Sequence, residues 1–233
     1  ISESAFLTLR KKEINTEYVG EFDFKGCDEN SKVYKIVLGR KLLALNNQFI
    51  LFSDIAKFAS AKNNYPLIEK IIDYSDIMFN NVEQEHNGII RGIVGDAYLV
   101  TFNKIDHLLS AIKYIHTYWT DTYHKHGLLR LRLGIHKGGM LLYRRFCGGE
   151  SFNESAQLES AGKHTSAYND KNNIVITHVS DVIMKETLKV SKSYKNNFAE
   201  VTQSELKKFK CSQRGKDVIK TRYKSTYIFN PNM

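Results

Sequence analysis

Apolar positions recur along this chain with two periods, and the switching between them predicts the order of elements. Residues 49–52, 89–94 and 97–102 are largely apolar runs of strand length, and residues 129–136 alternate, with Arg130 and Arg132 at every second place. Residues 66–86 read differently. Leu67, Ile68, Ile71, Ile72, Ile77, Met78, Phe79 and Val82 form a broad stripe near the 3.6-residue period, opened by Pro66 and stopped by Gly88. Leu108, Leu109, Ile112, Ile115, Tyr118 and Trp119 repeat that pattern across residues 105–126, and Gly95-Asp96 has the form of a hairpin turn. Residues 140–146 continue the alternating strand or pair with it. After the close-approach pair Gly148-Gly149, residues 150–162 form a short helix, 174–176 a buried strand and 180–188 a helix. The basic C-terminal stretch supplies two more strands, ending at Phe229.

Helices and strands alternate without strict β-α-β repetition, which predicts an α+β fold, a mostly antiparallel sheet flanked by helices. Residues 5–9 and 33–38 are short strand-like runs around a polar loop at 26–31. Residues 1–45 therefore read as an N-terminal extension and residues 46–233 as the main domain.

Composition narrows the class. At 233 residues and 42% hydrophobic content, the chain can build a generous core. Its apolar runs fall well short of the roughly 18 residues a membrane span needs, and no basic-then-apolar leader opens it. A cytoplasmic protein without a membrane span is expected. Cys27, Cys147 and Cys211 are far apart and form no C-x-x-C pair, so free thiols are expected, not a zinc site or disulfides. His116, His124 and His126 fit no metal-ligand spacing and are expected in solvated or capping positions. The net charge of +9 gathers in Arg10-Lys11-Lys12, Arg144-Arg145 and residues 207–224. Nucleic acid, an anionic membrane surface and a polyphosphate ligand would each suit it. No nucleic-acid motif accompanies the charge, so solvated faces and a triphosphate site are the expectation.

Two aspartates stand out against the apolar runs. Asp54 lies at the end of one and Asp96 between two others. Taken singly, Asp54 reads as a helix cap and Asp96 as a turn residue. Taken together on antiparallel neighbouring strands, they converge on one sheet edge, where a divalent cation would offset their repulsion.

The order Phe52-x-Asp54-Ile55-x-x-Phe58, Gly95-Asp96-x-x-x-x-x-Phe102, Arg132-x-Gly134-Ile135-His136-x-Gly138 and Asn153-x-x-Ala156-x-Leu158-Glu159 resembles the class III nucleotidyl cyclase domain, over about residues 46–230. The resemblance implies a ferredoxin-like α+β domain that cyclises a nucleoside triphosphate with release of pyrophosphate. It also implies two Mg²⁺ or Mn²⁺ ions, about 3.5 to 4 Å apart. Asp54 and Asp96 would hold them with the main-chain carbonyl of Ile55, while the loop at 55–62 covers the phosphates and Asn153 orients the ribose. The partners implied are the triphosphate and a second copy of the chain, as a head-to-tail homodimer with two composite sites.

Three positions depart from that family. Where purine cyclases commonly carry base-reading polar residues, this chain has Gly92 and Phe146, and where the family has a transition-state arginine it has Gln157. A pocket that has lost both polar readers argues against a standard adenylate or guanylate cyclase. Phe146 is either core or part of a pocket narrowed for a pyrimidine. The combination resembles the bacterial pyrimidine cyclases of the Pycsar antiphage defence systems, which make cyclic UMP or cyclic CMP to trigger a separate effector. Arg91, Arg144 and Arg145 are the candidates to replace the missing arginine, and Arg214 and Lys216 to hold the triphosphate tail. Two rival readings stay open: a purine cyclase with an atypical base pocket, and a catalytically silent cyclase-like dimerisation domain.

Overall fold

The computed structural model describes residues 16–22, 30–36, 43–143, 146–202, 205 and 225–231. Contacts divide the chain into two units, Ile1–Ala44 with Leu141–Phe146, and Leu45–Met140 with Cys147–Met233. In the first, β1 (Thr16–Phe22) pairs antiparallel with β2 (Ser31–Ile36), with an irregularity between Tyr18 and Gly20. Expected strand 33–38 therefore begins two residues early. β1 was not expected, because adjacent Tyr18 and Val19 followed by Gly20 break the period of two. The run at 5–9 lies outside the described residues.

Mostly within the second unit, β3 (Leu43–Ile55) starts an order of α1 (Tyr65–Glu85), β4 (Ile89–Val94), β5 (Ala97–Phe102), α2 (Ile105–His126) and β6 (Leu131–Tyr143). Then come β7 (Phe146–Gly148), α3 (Glu150–Gly162), α4 (Ser166–Asn169), β8 (Val175–Ser180), α5 (Asp181–Val190), β9 (Phe198–Glu200) and β10 (Thr226–Phe229). The sheet runs β4-β5-β3-β6-β8-β10-β9, with β7 paired to β6. Its first six elements in this unit, β3-α1-β4-β5-α2-β6, with spatial order β4-β5-β3-β6, are the split βαβ arrangement of ferredoxin-like folds. The β3–β5, β4–β5, β8–β10 and β9–β10 pairs are antiparallel and β6–β8 is parallel.

Period-two alternation decides what each strand offers to either side. Phe49, Leu51 and Ile55 of β3, Tyr98, Val100 and Phe102 of β5, and Leu131, Leu133 and Ile135 of β6 enter one core. Met78, Phe79 and Val82 of α1 and Leu108, Ile112, Ile115 and Trp119 of α2 complete it. Pro66 lies in the first turn of α1, and the Asn64 side chain accepts the Leu67 N–H at its N-cap. The intervening strand residues turn to the opposite face, where α3 lies against β6.

The single expectation overturned in this core concerns His116, placed among solvated or capping residues. It is buried on the inner face of α2, with Ile112 one turn before and Trp119 nearly one turn after, and its Nε2 meets Thr177 Oγ1 of β8 at 2.8 Å. One hydroxyl partner satisfies the ring nitrogen, so the apolar stripe admits an imidazole. His124 and His126 are exposed, His126 stacking on Tyr74.

Candidate functional site

The face of the sheet turned to α3 gathers the polar residues of the sequence motifs. In β6 these are Arg132, Gly134, His136 and Gly138, successive members of one alternating row. The two glycines have a steric cause. A Cβ on Gly134 would lie 2.0 Å from Ser155 O and 2.3 Å from Glu159 N, and one on Gly138 would lie 2.0 Å from Ser151 Oγ. The α3 backbone thus rests directly on β6. His136 between them is buried, its Nε2 paired with Glu154 Oε2 at 2.7 Å and its Nδ1 with Ser180 Oγ at 3.0 Å. Strand and helix are tied in one register, and Glu159 on α3 is thereby held over Arg132 on β6.

Arg132 joins two carboxylates. Its Nη2 donates to Asp54 Oδ2 and its Nε to Glu159 Oε1, with all three side chains largely withdrawn from solvent. Asp54 is the penultimate residue of β3, within the strand, where alternation turns it away from the main core. The helix-cap alternative is thereby excluded: a short 3-10 turn, Phe58–Ala61, follows the strand with Lys57 as its cap residue at φ 65°.

Asp96 sits in a two-residue hairpin between Val94 and Ala97, after Gly95 at φ 64°. The end of β3 grips this turn: Ile55 N–H donates to Asp96 Oδ2 at 2.9 Å, and Tyr98 N–H donates to Ser53 Oγ at 3.0 Å. The structure therefore brings Asp54 and Asp96 to one end of the β3–β5 pair.

Electrostatics report the crowding. Burial raises the Asp54 pKa above the usual carboxylate value, Arg132 pulls it down, and the neighbouring Asp96 pushes it up. Burial lifts Glu159 to about 7 against the pull of Arg132, and the Asp54 charge adds to the rise. Asp54 and Glu159 thus both face the cations of Arg132 and Lys163. The carboxylates of Asp54 and Asp96 offer oxygen donors only, and the expected Ile55 carbonyl would add another, a donor chemistry that suits Mg²⁺ or Mn²⁺. Among the described residues there is no group of three or more His, Cys, Asp or Glu ligands, so a cation here would draw on main chain, water or substrate oxygen.

The remaining predicted site residues are distributed as follows. Asn153 is exposed on α3, and Gln157, one turn on, has a buried Oε1 without a hydrogen-bond partner among the described residues. Gly92 is half-buried in β4, and a Cβ there would lie 3.9 Å from Cys147 Sγ. Phe146 opens β7, and its side chain lies outside the described residues, as do Arg144, Arg145, Arg214, Lys216 and the other two cysteines. In the sequence Arg132 and Glu159 are motif letters without an assigned role. Their signal was positional: Arg132 lies two residues before a glycine in an alternating strand, on the same row.

No protein-family model matches the chain, and no curated protein matches it. Solved structures do. An adenylate/guanylate cyclase/hydrolase from Silicibacter pomeroyi aligns over 80% of this chain and 98% of its own, at 18% identity and TM-score 0.60. The adenylyl cyclase CyaB from P. aeruginosa aligns over 82% and 96%, at 16% identity and TM-score 0.55. The monomeric guanylyl cyclase domain of the RhoGC fusion protein from the aquatic fungus Blastocladiella emersonii aligns over 81% and 96%, at 14% identity and TM-score 0.51. No helix among the described residues is long and apolar enough to cross a membrane. The chain has the fold of adenylate and guanylate cyclase catalytic domains, an α+β fold with a mostly antiparallel sheet flanked by helices.

Proposed function

We propose that this chain is a nucleotidyl cyclase that converts a pyrimidine nucleoside triphosphate, UTP or CTP, to its 3′,5′-cyclic monophosphate and pyrophosphate. The observation that carries the reading is the convergence of Asp54 and Asp96, beside Arg132, on a cyclase fold. In this reaction the ribose 3′-hydroxyl attacks the α-phosphorus in line, a new O–P bond forms, and the bond to the β-phosphate oxygen breaks. Bound Mg²⁺ or Mn²⁺ would supply a lowered hydroxyl pKa and neutralised phosphate charge.

The residues of the chain do the rest. Asp54, Asp96 and the Ile55 carbonyl would hold the cations, and the loop at 55–62, which contains the turn Phe58–Ala61, would cover the phosphates. Asn153, exposed on α3, reaches the ribose in the site of a second copy, so a head-to-tail homodimer makes two composite sites. Arg214 and Lys216 hold the triphosphate tail. Gly92 and Phe146 line the base: the loss of both polar readers argues against a standard purine cyclase, and Phe146 fills part of a purine-sized pocket and leaves room for a pyrimidine. By resemblance to the antiphage pyrimidine cyclases, the product is a cytoplasmic second messenger read by a separate effector.

The solved structures named above are adenylate and guanylate cyclases, which favours a purine substrate as the second reading. The two separate in one experiment: incubation of the purified chain with Mn²⁺ and each of ATP, GTP, CTP and UTP, with mass spectrometry of the product. A cyclic pyrimidine nucleotide is expected. Cyclic AMP or cyclic GMP as the main product would replace it with the purine reading.

A further inference from the structure

The strand that carries Gly92 is not regular. The β4–β5 register passes from Ile90 opposite Val100 to Gly92 opposite Leu99, so Arg91 is the extra residue of a β-bulge. A regular strand would turn Arg91 and Gly92 to opposite faces. Here both belong to the face away from the main core. Val100 and Phe102 of β5 enter that core, and Leu99 and Thr101 alternate with them. Arg91 Nε donates to Thr101 Oγ1 at 2.9 Å, on the Leu99 side.

Cys147 closes the group. Its thiol donates to Arg91 O at 3.0 Å, and its sulfur lies 3.9 Å from the Cβ position of Gly92. The guanidinium is within electrostatic reach: burial raises the Cys147 pKa, and the Arg91 charge pulls it back. A cationic, planar donor group is thus delivered by the bulge beside the one position where the sequence has lost its side chain. Thr101, fully buried, fixes the plane of that group through Nε.

We propose that Arg91 contacts the base and sets base preference, cytosine before uracil. This rests on the cyclase reading, with Gly92 at the base. The chemistry follows from what arginine lacks: a guanidinium only donates, so it matches edges made only of acceptors. Cytosine presents N3 and O2 side by side and accepts two parallel bonds. Uracil puts an N3–H donor between its carbonyls and accepts at one oxygen at a time. Adenine sets an amino donor beside N1 and beside N7, which leaves the fork half-matched. Guanine offers O6 and N7, so its exclusion falls to the size of the pocket.

The test is steady-state kinetics of the full chain with Mn²⁺ and each of the four triphosphates, for wild type, Arg91→Ala and Arg91→Lys. Wild type is expected to prefer CTP. Arg91→Ala should lower the CTP-over-ATP ratio of kcat/KM by roughly 10- to 100-fold, the worth of a bidentate contact, chiefly through KM for CTP. Arg91→Lys keeps the charge but not the fork and should fall short of wild-type preference; it also serves if the alanine variant does not fold. Equal loss on all four triphosphates, or unchanged ratios, would overturn the assignment. A wild type that prefers ATP would overturn it as well. A wild type that turns over none of the four contradicts the cyclase reading itself.

Discussion

Three buried histidines link the sheet to its helices, and each has side-chain or backbone partners for its ring. His136 joins β6 to Glu154 and Ser180, His116 joins α2 to Thr177, and His178 lies between Leu158 O and Thr226 Oγ1. Burial holds His116 down to about 3 and His178 down to about 4, so both fold as neutral rings. The unfolded chain takes up protons near the ordinary value of 6.5 that the folded chain refuses. Stability from these two groups is complete above that pH and falls as the pH drops through it. Each costs up to about 1.4 kcal/mol per pH unit until its own folded value is reached. Glu159 works in the opposite sense. Raised to about 7 from 4.5, it disfavours the fold most at high pH and relieves that penalty as the solution is acidified. Between pH 6.5 and 4.5 two histidines outweigh one glutamate, so urea unfolding should show lower stability at pH 5 than at pH 7. His116→Gln or His178→Gln should flatten that dependence.

At the scale of elements, the contact between β6 and α3 governs the site. Gly134→Ala places a methyl group against the α3 backbone, and only separation of helix from strand relieves it. Overpacking of this kind costs roughly 1–3 kcal/mol. In a chain of this length that is a fall in Tm of several degrees, at about 2–4 °C per kcal/mol. Because α3 carries both Glu159 and Asn153, activity should fall further than stability alone requires; thermal melting beside turnover measures both. The elements that sequence made legible are those with a continuous apolar run or stripe. The hairpin of β4 and β5 and helix α2 begin and end where the apolar pattern does. β3 runs six residues further upstream than its apolar run, because Asn46, Asn47 and Gln48 interrupt the apolar pattern before Phe49 and residues 43–48 are exposed or half-buried. β9 is three residues long and was not anticipated, since its register against β10 is a tertiary choice. The same limit applied to the site. Asp54 and Asp96 were legible as carboxylates intruding on apolar runs, whereas the Asp54–Arg132–Glu159 chain needed three elements to meet.

For the whole molecule, the sheet ends at β4, whose Ile93 and Val94 are exposed at 55% and 72%. An apolar edge of this kind is a liability in a lone subunit, and a second copy would cover it in the head-to-tail arrangement proposed above. The net charge of +9 suits a polyanionic substrate, although the basic stretch at 207–224, with the strand expected there, lies outside the described residues. Catalysis as proposed requires two carboxylates acting together across the β3–β5 pair. The most direct test is Mn²⁺-dependent pyrophosphate release by wild type, Asp54→Ala and Asp96→Ala, with melting curves to confirm that each variant is folded. Wild type should show metal-dependent release, and each folded variant a loss on the order of 10²–10³-fold or more, at least that of a key electrostatic group. Release that survives in a folded Asp54→Ala chain, or wild type that releases none from any triphosphate, would contradict the proposal.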